Sequence, residues 1–368
     1  MTQRNWWLTQ LASVSISRKT TMRNVLDNCK HKGLTTPLQR VAASWLSSCL
    51  LFLTLSVSGA AVADDSKGDE ILSAIVGVRA EVPITARTAA ALGTERQGSG
   101  VVIDEDGLIV TIGYLILEAS RVEVTLADSL TVPVNIVAYD HDTGFGLLRT
   151  VHPIDTTPMK LGKSADVEES TQLLISGYGG AAAAQPAIVV SRRVFAGYWE
   201  YLLENAIFTA PPYRNFGGAA LVSTDGELMG VGSLIVGDAV QGQQQIPGNM
   251  FVPIDILKPI LKDLVTSGRA SGSSRPWLGV YTEEFRERLF VTRVADQGPA
   301  AKAGIETGDI IVAVDGQEVA SMEDFYRRVW AQGDAGTQAA LTVLRGSKLM
   351  NITVESGNRY EWLRLNPV

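Results

Sequence analysis

The chain has 368 residues, 46% of them hydrophobic and 19% charged, with 35 Gly and 14 Pro; this is ordinary globular composition, ample for two domains. With 32 Lys and Arg against 39 Asp and Glu, the net charge of −7 argues against a protein that grips nucleic acid by neutralising phosphates. The charge is uneven: residues 1–63 hold seven basic side chains and one acidic one, which leaves 25 basic and 38 acidic in the rest. Both cysteines, Cys29 and Cys49, lie in that first stretch, so disulfides, thiol nucleophiles and Cys-ligated metals are excluded from residues 64–368.

Val41 to Ala63 form 23 consecutive uncharged residues, preceded by the basic extension and followed at once by Asp64 and Asp65. This is the layout of a secretory signal, with Ala61 and Ala63 as the small-residue pattern before a cleavage expected after Ala63. The alternative is an uncleaved membrane anchor, since 23 residues can span a bilayer. Seven of the 23 are Ser, Thr or Gly, which favours cleavage and an exported, periplasmic chain. Met1 and Met22 are both open as the start, and LSSC at Leu46 to Cys49 is read as an accidental lipoprotein-box match because its apolar run follows it.

From Ile71 to about Val265 short β-rich runs alternate with Gly, Asp-Gly and Pro turns, the pattern of an antiparallel barrel or sandwich. GSGVVIDEDGLIVT at Gly98–Thr111 and GGAALVSTDGELMG at Gly217–Gly230 both place a DG turn nine residues after their first Gly, which suggests two related halves. Asp255 to Ser267 reads as an amphipathic helix ended by Gly268, and residues 266–275 as a small, polar linker. Residues 276–355 read as a compact α+β unit. Strands are expected at Leu278–Tyr281, Leu289–Val294 and Ile310–Val314, helices at Pro299–Gly304 and Ser321–Gln332, and a last hairpin at Ala339–Val354. Ser321 with Asp324 makes an N-cap pair, and residues 356–368 form a tail carrying Tyr360 and Trp362.

In this order the motifs resemble the HtrA (Deg) family of exported trypsin-like serine proteases. The resemblance rests on the two DG hairpins, on Asp140 with Leu147 and Leu148, on LGKSADV at Leu161, and on VPIDILKPIL at Val252. RPWLGV at Arg275 and GPAAKAGIETGDIIVAVDGQEV at Gly298–Val319 resemble the PDZ domain that follows the protease in that family. The implied fold is mostly β: a trypsin-like double β-barrel over 71–265, then a small α+β PDZ domain. Family members commonly form trimers, so homotrimers or mixed oligomers with an active paralogue are the implied assembly.

Peptide hydrolysis on that architecture needs a serine hydroxyl, an imidazole to take its proton, a carboxylate to orient the imidazole, and an oxyanion hole. The family's His position falls in TIGYLI, which puts Tyr114 there, and a phenol with a pKa near 10 is a poor base at neutral pH. The Asp position falls on Gly144 in TGFGLL, and the Ser position on Gly217 in NFGGAAL; a one-residue shift gives Phe216. After residue 63 the only histidines are His141, read as solvated or turn-capping, and His152, while Ser99, Ser176 and Ser223 are read as structural. The expectation is a pseudoprotease in which Phe216 and Tyr114 close the old cleft or make it an apolar contact site. GYGG at Gly177–Gly180 lacks a lysine and reads as a turn rather than a phosphate loop, and neither a cofactor nor a metal site is expected.

Binding does not need the triad. In PDZ domains a peptide adds as a strand to a sheet edge, with its C-terminal carboxylate on backbone N–H groups and its last side chain in an apolar pocket. The resemblance assigns the loop and strand to Trp277, Leu278, Gly279 and Val280; helical spacing from Ser321 adds Met322, Tyr326 and Val329, with Phe325 in the core. The implied partners are unfolded proteins or peptide C-termini, with a membrane only if the leader stays attached. The expected role is a quality-control adaptor or regulator; the alternative is an active HtrA-type serine endopeptidase with a non-standard catalytic constellation.

Overall fold

The computed structural model describes residues 60–242 and 245–363, with side chains from Lys67 onward. The basic extension, the apolar run through Gly59, both cysteines and the choice of start lie outside the described residues. The cleavage point expected after Ala63 falls in helix α1 (Ala60–Ser73), whose first seven side chains also lie outside them. No described helix is long and apolar enough to cross a membrane.

Two closed antiparallel barrels follow. The first comprises β1 (Ile75–Glu81), β2 (Glu95–Val102), β3 (Leu108–Ile112), β4 (Arg121–Thr125), β5 (Thr131–Tyr139) and β6 (Phe145–Thr150), closed in the order β1-β2-β3-β6-β5-β4. The second comprises β7 (Gln172–Ser176), β8 (Ala184–Gly197), β9 (Tyr201–Ala210), β10 (Ala220–Val222), β11 (Leu228–Val240) and β12 (Ile246–Pro253), in the equivalent order β7-β8-β9-β12-β11-β10. Closure removes the free edges that open sheets must protect. The two repeated hairpins do not occupy equivalent places: one is β2–β3, the other β10–β11, the fourth and fifth strands of its barrel. Their likeness is turn chemistry, with Gly107 and Gly226 each at a positive φ in a DG turn. The hairpins meet where the barrels join, the Ser99 N–H donating to the Gly217 carbonyl at 2.8 Å.

The helix expected over Asp255–Ser267 is shorter than its apolar pattern. Pro259 has no N–H and its ring obstructs the carbonyl four residues back, so the segment begins as a 3-10 turn at Ile254–Ile256. Helix α3 (Leu261–Ser267) follows a short helix α2 (Ala89–Leu92) in chain order, and Gly268 caps it at φ 72°.

Residues 268–275 contain neither strand nor helix. The last sheet runs β13-β14-β15-β17-β18, with β13 (Val280–Phe285) at one edge. The other strands are β14 (Arg288–Val294), β15 (Ile310–Val314), β16 (Gln317–Glu318, paired with β15), β17 (Gln338–Arg345) and β18 (Lys348–Glu355). Helix α4 (Pro299–Ala303) ends on Gly304 at φ 88°, and helix α5 (Met322–Trp330) is capped by Ser321, whose hydroxyl accepts from the Asp324 N–H at 3.0 Å. Phe325, Tyr326 and Val329 of α5 are buried against Leu278, Val280, Leu289 and Leu341. The tail forms helix α6 (Arg359–Trp362) and docks on the rest of the chain, with Tyr360 Oη donating to Asp140 Oδ1 at 2.9 Å.

Candidate functional site

The three positions assigned to a triad converge where the barrels join. Tyr114 stands in the 3-10 turn after β3, and its hydroxyl donates across to the Ser233 carbonyl of β11 at 3.0 Å. A Cβ on Gly217 would lie 3.0 Å from that hydroxyl. The Gly113 N–H donates to the Gly144 carbonyl at 2.8 Å, which places the third position beside the first. Gly144 is at φ 83°, and a Cβ there would come 3.3 Å from Tyr201 Oη, which donates to the Thr143 carbonyl at 2.7 Å. Neither glycine offers a side chain to act on a carbonyl, and burial pushes the Tyr114 phenol upward, further from use as a base. Phe216 is half-buried and joins none of the apolar clusters among the described residues.

Ser99, Ser176 and Ser223 each have a backbone hydrogen-bond partner. Ser99 Oγ accepts from the Tyr178 N–H at 3.0 Å, Ser176 Oγ donates to the Gly177 carbonyl at 3.1 Å, and Ser223 Oγ accepts from the Glu227 N–H at 3.1 Å. His141 is not the solvated histidine its polar neighbours Asp140 and Asp142 suggest. It is 6% exposed and lies between the rings of Tyr139 and Tyr360, each at 4.4 Å. Burial first, and Arg359 second, hold its pKa well below the usual histidine value, so it is neutral at neutral pH. His152 is exposed, and GYGG forms a turn with Gly179 and Gly180 at positive φ.

The PDZ groove is built and filled. Gly279, at φ 80°, turns the chain so that successive N–H groups point to one place. The N–H of Leu278 donates to Glu200 Oε2 at 2.8 Å, and those of Gly279 and Val280 to Glu200 Oε1 at 2.6 and 3.0 Å. Glu200 sits at the tip of the β8–β9 hairpin, 6% exposed; burial pushes its carboxyl up, while the three N–H donors and Arg359 pull the other way. Beside it the Thr282 N–H of edge strand β13 donates to the Tyr198 carbonyl at 3.0 Å. Tyr326 Oη donates to the Gly197 carbonyl at 2.8 Å and accepts from the Glu200 N–H at 3.3 Å. Leu278, Gly279, Val280 and Tyr326 thus surround one occupant, while Val329 is buried in the wall behind and Met322 packs at its margin. Trp277 plays a different part: its N–H donates to the Gly357 carbonyl at 3.1 Å and its ring meets Trp362 at 5.0 Å.

Comparison with known proteins gives the same two parts. A trypsin-like peptidase domain model matches residues 98–231, and a PDZ domain model matches residues 276–355. The chain is 28% identical over 264 residues to the serine endoprotease DegS of Haemophilus influenzae, covering 70% of this chain and 76% of that one. It is 28% identical over 273 residues to the periplasmic serine endoprotease DegP of Escherichia coli, covering 70% of this chain and 56% of that one. The chain carries a trypsin-like peptidase domain followed by a PDZ domain, and its relatives are named DegP and DegS. It spans little more than half the length of the DegP-type relatives it matches. The solved structure of the HtrA-type protease AlgW with decapeptide is 21% identical, with a TM-score of 0.49, covering 81% of this chain and 98% of that one.

Several residues that shape this site escape a reading of the sequence. Arg96, 4% exposed, donates from Nη1 to the Tyr114 and Leu117 carbonyls at 2.7 and 2.8 Å and from Nη2 to Thr88 Oγ1 at 2.8 Å, so it fixes the turn that carries Tyr114. Glu200 and Leu202 escape it as well. A signal for them exists: the hairpin tip reads Tyr198-Trp199-Glu200, without the Gly, Asn or Asp that tight turns favour, and Glu200 is held at φ 57°. Turn residues chosen against turn chemistry point to contacts made elsewhere.

Proposed function

We propose that this chain is an exported HtrA-type protein that captures unfolded polypeptides or peptide C-termini through its PDZ domain without cleaving them. The observation that carries the reading is the content of the cleft: a phenol bound to Ser233 and two glycines stand where hydrolysis needs base, carboxylate and nucleophile. The PDZ loop keeps its chemistry, since three consecutive N–H groups converge on one carboxylate and β13 stands at the sheet's edge, where an added strand would take the place that Tyr198 holds on Thr282. A captured chain end would place its carboxylate on Leu278, Gly279 and Val280 and pair with β13. Its last side chain would enter the apolar wall of Leu278, Val280 and Val329. Such a protein would serve as a quality-control adaptor or as the regulator of an active relative, as a homotrimer or in mixed oligomers.

The relatives named as serine endoproteases supply the competing reading, an active endopeptidase with an unfamiliar constellation. Degradation of unfolded casein by residues 64–368, run beside labelling by a serine-directed fluorophosphonate, separates the two. Neither turnover nor labelling is expected. Turnover together with labelling overturns the proposal, and the labelled serine then identifies the nucleophile.

A further inference from the structure

The carboxylate in the PDZ cradle belongs to the chain itself. Glu200 fills all three N–H donors, and Tyr198 takes the strand-pairing position on Thr282. Leu202, two residues on, is 6% exposed and lies in the apolar cluster of Leu278, Val280, Tyr326 and Val329. Together Glu200 and Leu202 present the carboxylate and the aliphatic group that a C-terminal Leu or Val carries on one residue. The left-handed backbone at Glu200 is unfavourable for a non-glycine residue and persists only where surrounding contacts hold it. Those contacts are present: Arg359 Nη1 donates to the Glu200 carbonyl at 3.2 Å, Tyr326 Oη accepts from the Glu200 N–H at 3.3 Å and donates to the Gly197 carbonyl at 2.8 Å, and Arg327 pairs with Glu204 at 2.6 Å.

We infer that the tip of the β8–β9 hairpin is an internal ligand of the PDZ domain. A polypeptide ending in a free carboxylate on an aliphatic residue enters the groove only by displacing Glu200 and Leu202. This deepens, and rests on, the reading of the groove as a chain-end site. Its consequence is quantitative. The apparent affinity for such an end is the intrinsic affinity reduced by the fraction of molecules whose groove is open, so a groove closed in 90 to 99% of molecules costs about 10- to 100-fold.

The test uses the wild-type chain, Glu200→Ala and Glu200→Gln. The probe is a fluorescent decapeptide pool with C-terminal leucine and a free carboxylate, compared with its amidated twin. The carboxylate pool is expected to bind Glu200→Ala ~10- to 100-fold more tightly than wild type, with Glu200→Gln between them because its amide N–H₂ cannot accept from the Leu278 N–H. The amidated pool is expected to bind none of them. Equal affinity of wild type and both variants overturns the inference and leaves the chain-end reading standing. Hydrogen exchange at the amides of Leu278, Gly279 and Val280 reads the plug without any peptide. Exchange about tenfold or more faster in Glu200→Ala, with β17 and β18 amides unchanged, supports it; unchanged exchange overturns it. Faster exchange with no pool bound by any of the three proteins keeps the internal ligand and sinks peptide capture.

Discussion

Gly217→Ala tests the reading of the cleft, because its cost depends on one neighbouring atom. Gly217 is not at positive φ, so the backbone accepts alanine, and the reduced freedom of the unfolded chain should itself stabilise by about 0.5 kcal/mol. The new Cβ would stand 3.0 Å from Tyr114 Oη, too close for the ring to stay where it is. Moving it weakens the 3.0 Å bond to the Ser233 carbonyl, worth about 1 kcal/mol. The expected net effect is a loss of roughly 0.5 kcal/mol. In a Tyr114→Phe background the hydroxyl is gone and the nearest ring atom, Cζ, is 3.9 Å away, an ordinary contact. There the same change should stabilise by about 0.5 kcal/mol. Urea unfolding of the four proteins should therefore give a coupling of about 1 kcal/mol. A coupling within about 0.3 kcal/mol of zero would mean that Tyr114 and Gly217 do not share the cleft, and would refute the reasoning. Gly217→Ser should remain unlabelled by fluorophosphonate, since among the described residues no imidazole stands beside it.

His141 has a depressed pKa in the fold, so above the ordinary value of 6.5 it has no effect on stability; as pH falls below that value the unfolded chain takes up a proton the fold refuses, and stability declines. His141→Phe, which keeps a ring between Tyr139 and Tyr360, should flatten the unfolding midpoint against pH just below 6.5; an unchanged slope would refute the assignment. Asp309, 1% exposed, accepts from Arg345 Nε and Nη2 at 2.7 and 2.8 Å, and those bonds hold its pKa below the usual carboxylate range. The stability it contributes is present above about pH 4 and is lost as pH falls through the lowered value, so Arg345→Ala should move acid unfolding of the PDZ domain to higher pH. Trp362 packs on Trp277 at 5.0 Å, with the Arg87 guanidinium 3.7 Å from its ring centre. Trp362→Ala should cost about 1 to 2 kcal/mol in urea unfolding and speed exchange at the Gly357 amide.

Much of the fold is written in local pattern. DG turns, the glycines ending α3 and α4, the Ser321 cap and the apolar alternation of β17 depend on neighbours within a few residues, so the sequence displays them. What it hides depends on distant segments. The α3 pattern is periodic from Asp255 yet Pro259 breaks the helix, and periodicity carries no backbone donor count. His141 sits among acidic neighbours and reads as solvated, while Tyr360, far along the chain, buries it. Motif spacing assigns Tyr114, Gly144 and Gly217 to one site; that Tyr114 reaches Ser233 is beyond it. Glu200 is the extreme case, an ordinary glutamate whose partners lie 78 to 80 residues away and are backbone groups that no side-chain pattern announces.

Three consecutive residues of the β8–β9 hairpin face three different places. Glu200 fills the PDZ cradle, Tyr201 reaches the Thr143 carbonyl beside Gly144, and Leu202 enters the PDZ core. Alternation along an extended strand would put Glu200 and Leu202 on one side and Tyr201 on the other, and the positive φ at Glu200 tightens that geometry at the tip. The hairpin therefore ties the groove to the turn that carries Gly144 through a single backbone. With a glycine at position 144 there is room for the Tyr201 ring, whose hydroxyl would lie 3.3 Å from any Cβ placed there. A carboxylate side chain at that position would have to push the ring away and disturb the residue next to Glu200. The size of residue 144 and the seating of the internal ligand are thus sterically linked: the arrangement that closes the groove is one that a side chain at residue 144 would crowd.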